Sequence, residues 1–495
     1  MTPDACPGRE RGTEPSFRPG LVVFLLLAGC SAYAPLTDAP PSADHPWKGP
    51  GLERASAALA APDHAREPEP VPIDAQKAYE LSELIDIAER TNPETRVAWE
   101  RARQAAIAAG LAEGTYYPRL VATATGAIAS VPLPIPTTVV PGGVFRAKTR
   151  FIIPVLSLEW LLLDFGRRQA LVDAGQALTV EANAGFNAKH EEVIFNVTRD
   201  FYALTAVRGR VNASRAALES ARTLEQSARA RKDRGLATLP EVLQAEEETA
   251  RATYELEDAL AGEHDARMAL LESVGIHPHT PIEIADVSQR PLPPALEETV
   301  DEAVDRALTQ RPDLIALLAS VQAREAALRK ARADYWPRLA VRSGIGANIG
   351  ELSIDGSPYQ GVQEQQYDAG LRFEWDLFDG FERRNNVHLA ESRQREAEDE
   401  LQHAKEKAVR QVWKAYNDAK VALAKHRAAA ALLAASEKAW AATLESYSHG
   451  LATFPDVREA ERNLARARTL EQTARAEAWT RAAAFAVSTG DLAQP

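Results

Sequence analysis

The feature that most constrains the fold of this chain is an internal repeat. Residues 234–246 (RGLATLPEVLQAE) return as residues 449–461 (HGLATFPDVREAE), 215 positions later (449 − 234). Nearer the amino terminus of each copy, Pro93 corresponds to Pro312 at an offset of 219 (312 − 93), so the copies differ by four residues between these markers. Self-similarity at this scale predicts two copies of one structural plan.

Each copy contains a long stretch without proline. Residues 167–233 and 382–448 lack proline over 67 residues each, which at 1.5 Å per residue predicts helices of roughly 100 Å. Their apolar residues follow a spacing of three and four, typical of a coiled-coil seam. Gly235 and Gly450 are predicted to end these helices, and the chain should return through helices of about 34 residues.

Two strands are predicted before each long helix. Residues 367–377 alternate between apolar side chains and charged residues or glycine over eleven positions, and residues 339–349 alternate in a similar way on the expected hairpin partner. Strands of about 9–11 residues with one apolar face are typical of a transmembrane barrel. A half-buried strand of a soluble sandwich would produce the same alternation.

The amino terminus has the pattern of an export signal. Positive charges precede a short apolar core at residues 21–28, which leads into Leu27-Ala28-Gly29-Cys30. This ending resembles the lipobox of bacterial lipoproteins, and the resemblance implies cleavage before Cys30 and acylation of its thiol. The alternative is a chance cysteine at an ordinary cleavage site. We expect a signal peptide at 1–29 and a lipidated linker, rich in Pro, Ala and Asp, at 30–73.

Several classes of function find no support in the sequence. The formal net charge is −13 and no basic stripe stands out, which argues against a nucleic-acid partner. Phosphate-binding, dinucleotide and nucleophile-elbow motifs are missing, so we expect neither an enzyme nor a bound cofactor. The pair His277 and His279 in a loop is only weak evidence for a metal site. Both cysteines, Cys6 and Cys30, precede the body of the protein.

Together, the repeat, the strands, the long helical hairpins and the Gly-Leu-Ala-Thr turns resemble the TolC-type outer-membrane efflux family over residues 74–490. The resemblance implies a mainly α fold with a small β part, in repeats at 74–285 and 286–490, followed by a tail at 491–495. It implies a homotrimer whose subunits each give four strands to a shared twelve-stranded barrel in the lipid of the cell outer membrane. The helical hairpins would form a coiled-coil tunnel through the periplasm.

The resemblance also implies partners and site residues. The chain would be the passive exit duct of a tripartite efflux or export system, with a periplasmic adaptor and an inner-membrane pump of the resistance-nodulation-division type. The adaptor would dock at the hairpin tips, and a ring of acids would form a periplasmic gate behind the second tip. Ala452 stands where some members have a basic residue that ties the tip shut. The docking residues are Gly235, Leu236, Gly450 and Leu451, and the gate residues are Asp456 and Glu459.

Two other functions remain open at the level of sequence. One is a structural coiled-coil lipoprotein without a pore, which would not conduct ions in a lipid bilayer. The other is a periplasmic adaptor, but an adaptor has one helical hairpin, whereas this sequence predicts two equivalent ones.

Overall fold

A computed structural model describes the body of the chain. The described residues are 73–134, 144–235, 237–287, 290–293, 295–296, 298–354 and 356–491. The predicted signal peptide, its acylation site Cys30 and the docking residue Leu236 lie outside them, as does nearly all of the predicted linker.

The chain builds the same series of helices and long strands twice, and the first copy has two short strands and a 3₁₀ turn in addition. The first series comprises β1 (Ala78–Tyr79), α1 (Leu81–Thr91), α2 (Pro93–Glu113), a 3₁₀ turn (Gly114–Tyr116), β2 (Arg119–Pro134), β3 (Val144–Leu163), α3 (Arg167–Asp233), α4 (Leu239–Val274) and β4 (Glu283–Ile284). The second comprises α5 (Val300–Gln310), α6 (Pro312–Ala333), β5 (Arg338–Ile354), β6 (Gln360–Glu374), α7 (Glu382–Ser448) and α8 (Phe454–Thr489). The prediction of duplicated long helical hairpins is confirmed.

The helices agree closely with the sequence. Helices α3 and α7 span 67 residues each, as predicted, and the return helices α4 and α8 are slightly longer than expected, at 36 residues. The short helices α1 and α5 were not predicted. They are separated from α2 and α6 at Asn92-Pro93 and Arg311-Pro312, because proline begins a helix well but disfavours helical backbone in the residue before it.

The four long strands form one antiparallel sheet in the order β2-β3-β5-β6. They contain 15 to 20 residues, more than the expected 9–11. The expected alternation at 367–377 was wrong at its end, because β6 stops at Glu374. Beyond it the indole Nε1 of Trp375 donates to the Tyr335 carbonyl at 3.1 Å, and the chain turns into α7.

The main core lies midway along the helices. Phe201 and Leu204 of α3 are fully buried against Leu270 and Leu271 of α4, and Leu84 of α1 closes the cluster. Helix α3 also contacts α2, α6 and α8, whereas α7 packs against α5, α6 and α8. Between positions 424 and 447 of α7 no side chain is fully buried in the single chain.

Candidate functional site

Both hairpin tips turn on a glycine in the left-handed conformation. Gly235 and Gly450 each have φ of +75°, with open space where a Cβ would stand. Glycine is therefore required here by the backbone conformation and not by a lack of space for a side chain. In the second tip, the N–H of Gly450 donates to the Tyr447 carbonyl at 3.0 Å and that of Leu451 to the Ser446 carbonyl at 2.8 Å. This closes the helix and leaves Leu451 82% exposed at the apex.

The two tips are held together by contacts that sequence analysis did not identify. Phe454, the first residue of α8, is buried in a cluster with Ala228 of α3 and Val242 of α4. Its counterpart in the first copy, Leu239, is 53% exposed. The substitution of Phe for Leu between the copies was the available signal. The second tip is thus anchored on the first hairpin by an aromatic side chain.

The predicted gate acids lie on one side of α8. Asp456 and Glu459 line a groove with Asn463, facing the Ala439 surface of α7. The spacing of three residues therefore places both side chains in one groove, as expected for a helix. Both acids are exposed in the single chain, and Asn463 Nδ2 donates to Glu459 Oε1 at 3.3 Å.

Asp456 also has a local structural role. Its carboxylate accepts from the Thr453 hydroxyl at 2.6 Å and from the Thr453 backbone N–H at 2.8 Å. These hydrogen bonds lower the pKa of Asp456 below its usual value. A carboxylate in the first turn also interacts favourably with the helix dipole. Thr-x-x-Asp is a capping signature that can be read from the sequence.

A charged bridge links the two hairpins farther along α8. Arg462 Nη2 of α8 lies 2.6 Å from Glu248 Oε2 of α4, and Arg251 of α4 pairs with the same carboxylate. The neighbouring Glu461 is buried, which raises its pKa, although Ser220 and the two arginines partly oppose this. Ala452 has no charge and so forms no ion pair at the tip itself. The ion pair between the hairpins lies about ten residues farther along the chain, at a distance of roughly 15 Å along a helix.

The junctions between strands and long helices are also duplicated. Arg168 is buried, bonds Asp164 Oδ2 through Nε at 3.0 Å and donates to the Leu161 carbonyl at 2.7 Å. Arg383 binds Asp379 Oδ2 at 2.7 Å in the second copy. Arg168 caps a strand end.

Each junction also holds a phenylalanine in a strained conformation. Phe165 has φ of 51° and Phe381 has φ of 70°, each beside a glycine that also has positive φ. A left-handed residue with a side chain costs about 1–2 kcal/mol. Phe165 stacks on Trp336 with ring centroids 5.3 Å apart, and Phe381 is more than half exposed. Exposed aromatic rings thus surround this end of the sheet.

The two faces of the sheet differ in chemistry. Tyr367, Leu371 and Phe373 of β6 project on one face and are strongly exposed. The opposite face carries ionic contacts: Arg342 Nε lies 3.3 Å from Glu159 Oε1 on the neighbouring strand. Every residue of β6 is exposed. Among the described residues, the outer edges of β2 and β6 have no partner strand.

Within the described part of the chain, no helix is both long and apolar enough to cross a membrane. The same residues include no group of three or more His, Cys, Asp or Glu side chains placed to hold a metal ion. His277 and His279 stack with their ring centroids 5.2 Å apart.

Comparisons with known proteins agree with this geometry. The model of the outer membrane efflux protein family matches residues 84–275 and 303–491. Protein CyaE of Bordetella pertussis is 28% identical over 428 residues, which cover 86% of this chain and 87% of CyaE. Outer membrane protein OprJ of Pseudomonas aeruginosa is 24% identical over 384 residues, 77% of this chain and 76% of OprJ.

A solved structure supports the fold independently. The Campylobacter jejuni CmeC outer membrane channel superimposes with a TM-score of 0.70 and 19% identity, over 83% of this chain and 85% of CmeC. At this identity the likeness is evidence for the fold.

Proposed function

This chain belongs to the outer membrane efflux protein family and is an outer-membrane efflux channel component with a periplasmic helical tunnel, and we propose that three copies of it enclose one passive exit duct. In this proposal the sheets of three subunits, four strands each, join into a twelve-stranded barrel. The helical hairpins below them surround the tunnel.

The open sheet is the observation that carries the proposal. In the part of the chain that the structure describes, strands β2 and β6 each present an unpaired edge, and the outward face near those edges is apolar. In hydrocarbon each unsatisfied backbone group costs several kcal/mol, so an open edge is not tolerated there. Pairing β6 of one copy with β2 of the next satisfies both edges and closes the sheet.

The helices support the same arrangement. Helix α7 exposes Trp413, Val421 and Leu432, and α4 exposes Leu243 and Tyr254. Large apolar side chains spaced along a long helix are typical of a surface that packs against another helix. Three-fold assembly would bring the α7 face of one subunit against the first hairpin of the next.

The gate and the docking tips form the periplasmic end of this duct. Three copies of Asp456 and Glu459 would place six carboxylates around the constriction, where they would attract cations. The exposed Leu451 and the glycine turns at 235 and 450, with Leu236 beside the first, would present the tips to a periplasmic adaptor. We propose that this adaptor connects the duct to an inner-membrane pump of the resistance-nodulation-division type.

We further propose that Cys30 carries the lipid anchor and that residues 1–29 are removed. Several acyl chains on one cysteine would anchor the chain stably, because each buried methylene contributes about 0.8 kcal/mol. Cys30→Ala should abolish metabolic labelling with palmitate. Normal labelling of this variant would contradict the assignment of Cys30.

Reconstitution into planar bilayers tests the channel. The purified full chain should migrate as a trimer and produce discrete conductance steps, because the barrel encloses a water-filled lumen. A structural coiled-coil lipoprotein would bind the bilayer without conducting. Monomeric, non-conducting protein with the native helical content would refute the duct.

A further inference from the structure

A cluster of basic residues lies at the end of the sheet farthest from the helices. Arg146, Lys148 and Arg150 are exposed and occupy alternate positions of β3. Alternate residues of a strand project on the same side, which here is also the side of Ile152 and Leu156. We call these three cations the rim patch.

The position of the rim patch matches the thickness of a membrane. On the same side of β3, Trp160 lies at the helical end, and its Nε1 donates to the Tyr116 carbonyl at 2.9 Å. From Trp160 to Arg150 the strand rises about 33 Å, or roughly 25 Å once it tilts by about 40°. The lipid-facing apolar band of a barrel is about 25 Å tall. The cations therefore begin where the apolar band ends.

Most register partners of the rim patch among the described residues are uncharged. On the β2 side, Lys148 and Arg146 pair in register with Ser130 and Pro132, which are uncharged. On the β5 side, the described register partner of Arg150 is Glu351, which is acidic.

Arg150 and Lys148 do not pair with that acid, and Arg146 takes part in an interaction of its own, so Arg150 and Lys148 are the two cations open to an anion. Arg150 lies over the ring of Tyr359, with its Cζ 4.4 Å from the ring centroid. Within the described part of the chain, neither Arg150 nor Lys148 forms an ion pair. An arginine held against an aromatic ring keeps its donors available for an anion.

We propose that the rim patch binds the phosphate groups of a lipid in the outer leaflet, while Ile152 and Leu156 below it contact the acyl chains. This proposal rests on the proposed function, which places this face of the sheet in the membrane. Arginine recognises phosphate through paired hydrogen bonds, and cations at an interface attract anionic headgroups. Because β3 is an inner strand of the sheet, its outward face stays open to lipid when the sheet closes.

The test compares lipid binding by the intact protein and two charge variants. The rim variant carries Arg146→Gln, Lys148→Gln and Arg150→Gln. The control variant carries Lys405→Gln, Lys420→Gln and Lys438→Gln, which remove the same charge from exposed positions on α7. Each trimer in neutral detergent is titrated, without divalent cations, with the bis-phosphorylated glycolipid lipid A or with phosphatidylcholine. Native mass spectrometry counts the bound lipids.

We expect wild type and the control variant to prefer lipid A, and the rim variant to bind it about a hundredfold more weakly. Lys148→Gln alone should weaken binding about fivefold. Equal binding by rim variant and wild type, or equal wild-type affinity for phosphatidylcholine, would overturn the proposal. Channel recordings in phosphatidylcholine bilayers separate the two hypotheses. A conducting wild type without lipid A preference refutes only the rim patch, whereas a non-conducting one refutes the duct as well.

Discussion

The interhairpin bridge between Arg462 and Glu248 predicts how easily the periplasmic end of the duct opens. The side chains of this pair are 34% and 12% exposed, between a surface pair and a buried one. Arg462→Ala leaves Glu248 with Arg251 as a remaining partner, so the carboxylate is not stranded. We therefore expect a cost to the closed tip of about 1 kcal/mol per subunit, near the upper value for surface pairs and well below that for buried pairs.

Three subunits multiply this effect if the tips open together. About 3 kcal/mol over the trimer corresponds to roughly a hundredfold change in the ratio of closed to open channels. Single-channel recordings of Arg462→Ala should show a marked shift from the low-conductance to the high-conductance state. Glu248→Gln should act in the same direction, because it removes the charge of the other partner.

A matched control removes an arginine that ties together only one hairpin. Arg229 lies 2.6 Å from Glu225 within α3 and 2.9 Å from Glu246 of α4. Its substitution by alanine should leave the conductance states unchanged. If Arg462→Ala and Arg229→Ala give the same dwell times as wild type, the bridge does not hold the tip closed, and the reasoning fails.

Other consequences can be tested separately. The double variant Asp456→Asn, Glu459→Gln keeps an acceptor oxygen on each side chain but removes both negative charges. In single-channel currents, cation selectivity and block by a trivalent cation should therefore both weaken. An unchanged block would mean that these acids do not line the lumen. Leu371→Arg should make insertion into outer-membrane vesicles less favourable by up to about 2–4 kcal/mol near the midplane, whereas Arg372→Ala should be tolerated. Equal loss of insertion in both variants would indicate a sheet that is buried on both faces. Burial raises the pKa of Glu191 to about 7, the charge of Asp313 adds to this effect, and Arg311 opposes it. The folded state therefore holds a proton that the unfolded state loses, so the free energy of unfolding should fall as pH rises from about 4.5 to 7. Glu191→Gln should raise the Tm at pH 8 but not at pH 4, and equal shifts at both pH values would contradict this.

The long helices could be predicted because their signals are local and sustained. Absence of proline and a three-four apolar spacing set the bounds of α3 and α7, and glycine in the next turn marked their ends. The short helix α5 also had a local signal that was overlooked, since Thr299 and Glu302 form a capping box at its start. Strand length was underestimated because alternation reveals only the part of a strand with one apolar face. The outer part of β6, where Gln363 and Gln365 take the outward positions, has no such contrast.

The contacts between hairpins could not be predicted from sequence. Arg462 and Glu248 are 214 positions apart, and their meeting depends on how one hairpin slides and rotates against the other. The i, i+3 spacing placed Asp456 and Glu459 on one face, but no spacing rule states which element that face meets. The aromatic anchor Phe454 is a similar case, because its burial depends on Val242 of the other copy.

The two copies share a plan but differ in how fully they are packed, and this difference identifies the part of the molecule that can move. Helix α3 is enclosed, with Val211, Leu218 and Ala228 buried along its half nearest the tip. The counterpart stretch of α7, positions 424–447, buries no side chain fully, so in the single chain it has little apolar burial to lose when it shifts. Local opening is drawn from regions with few buried contacts. Phe454 and Arg462 on α8 attach the second hairpin to the first near its tip, and Tyr447 of α7 adds a contact with Arg231 of α3. An adaptor that binds the exposed tip could open the duct by displacing these contacts while the first hairpin stays in place.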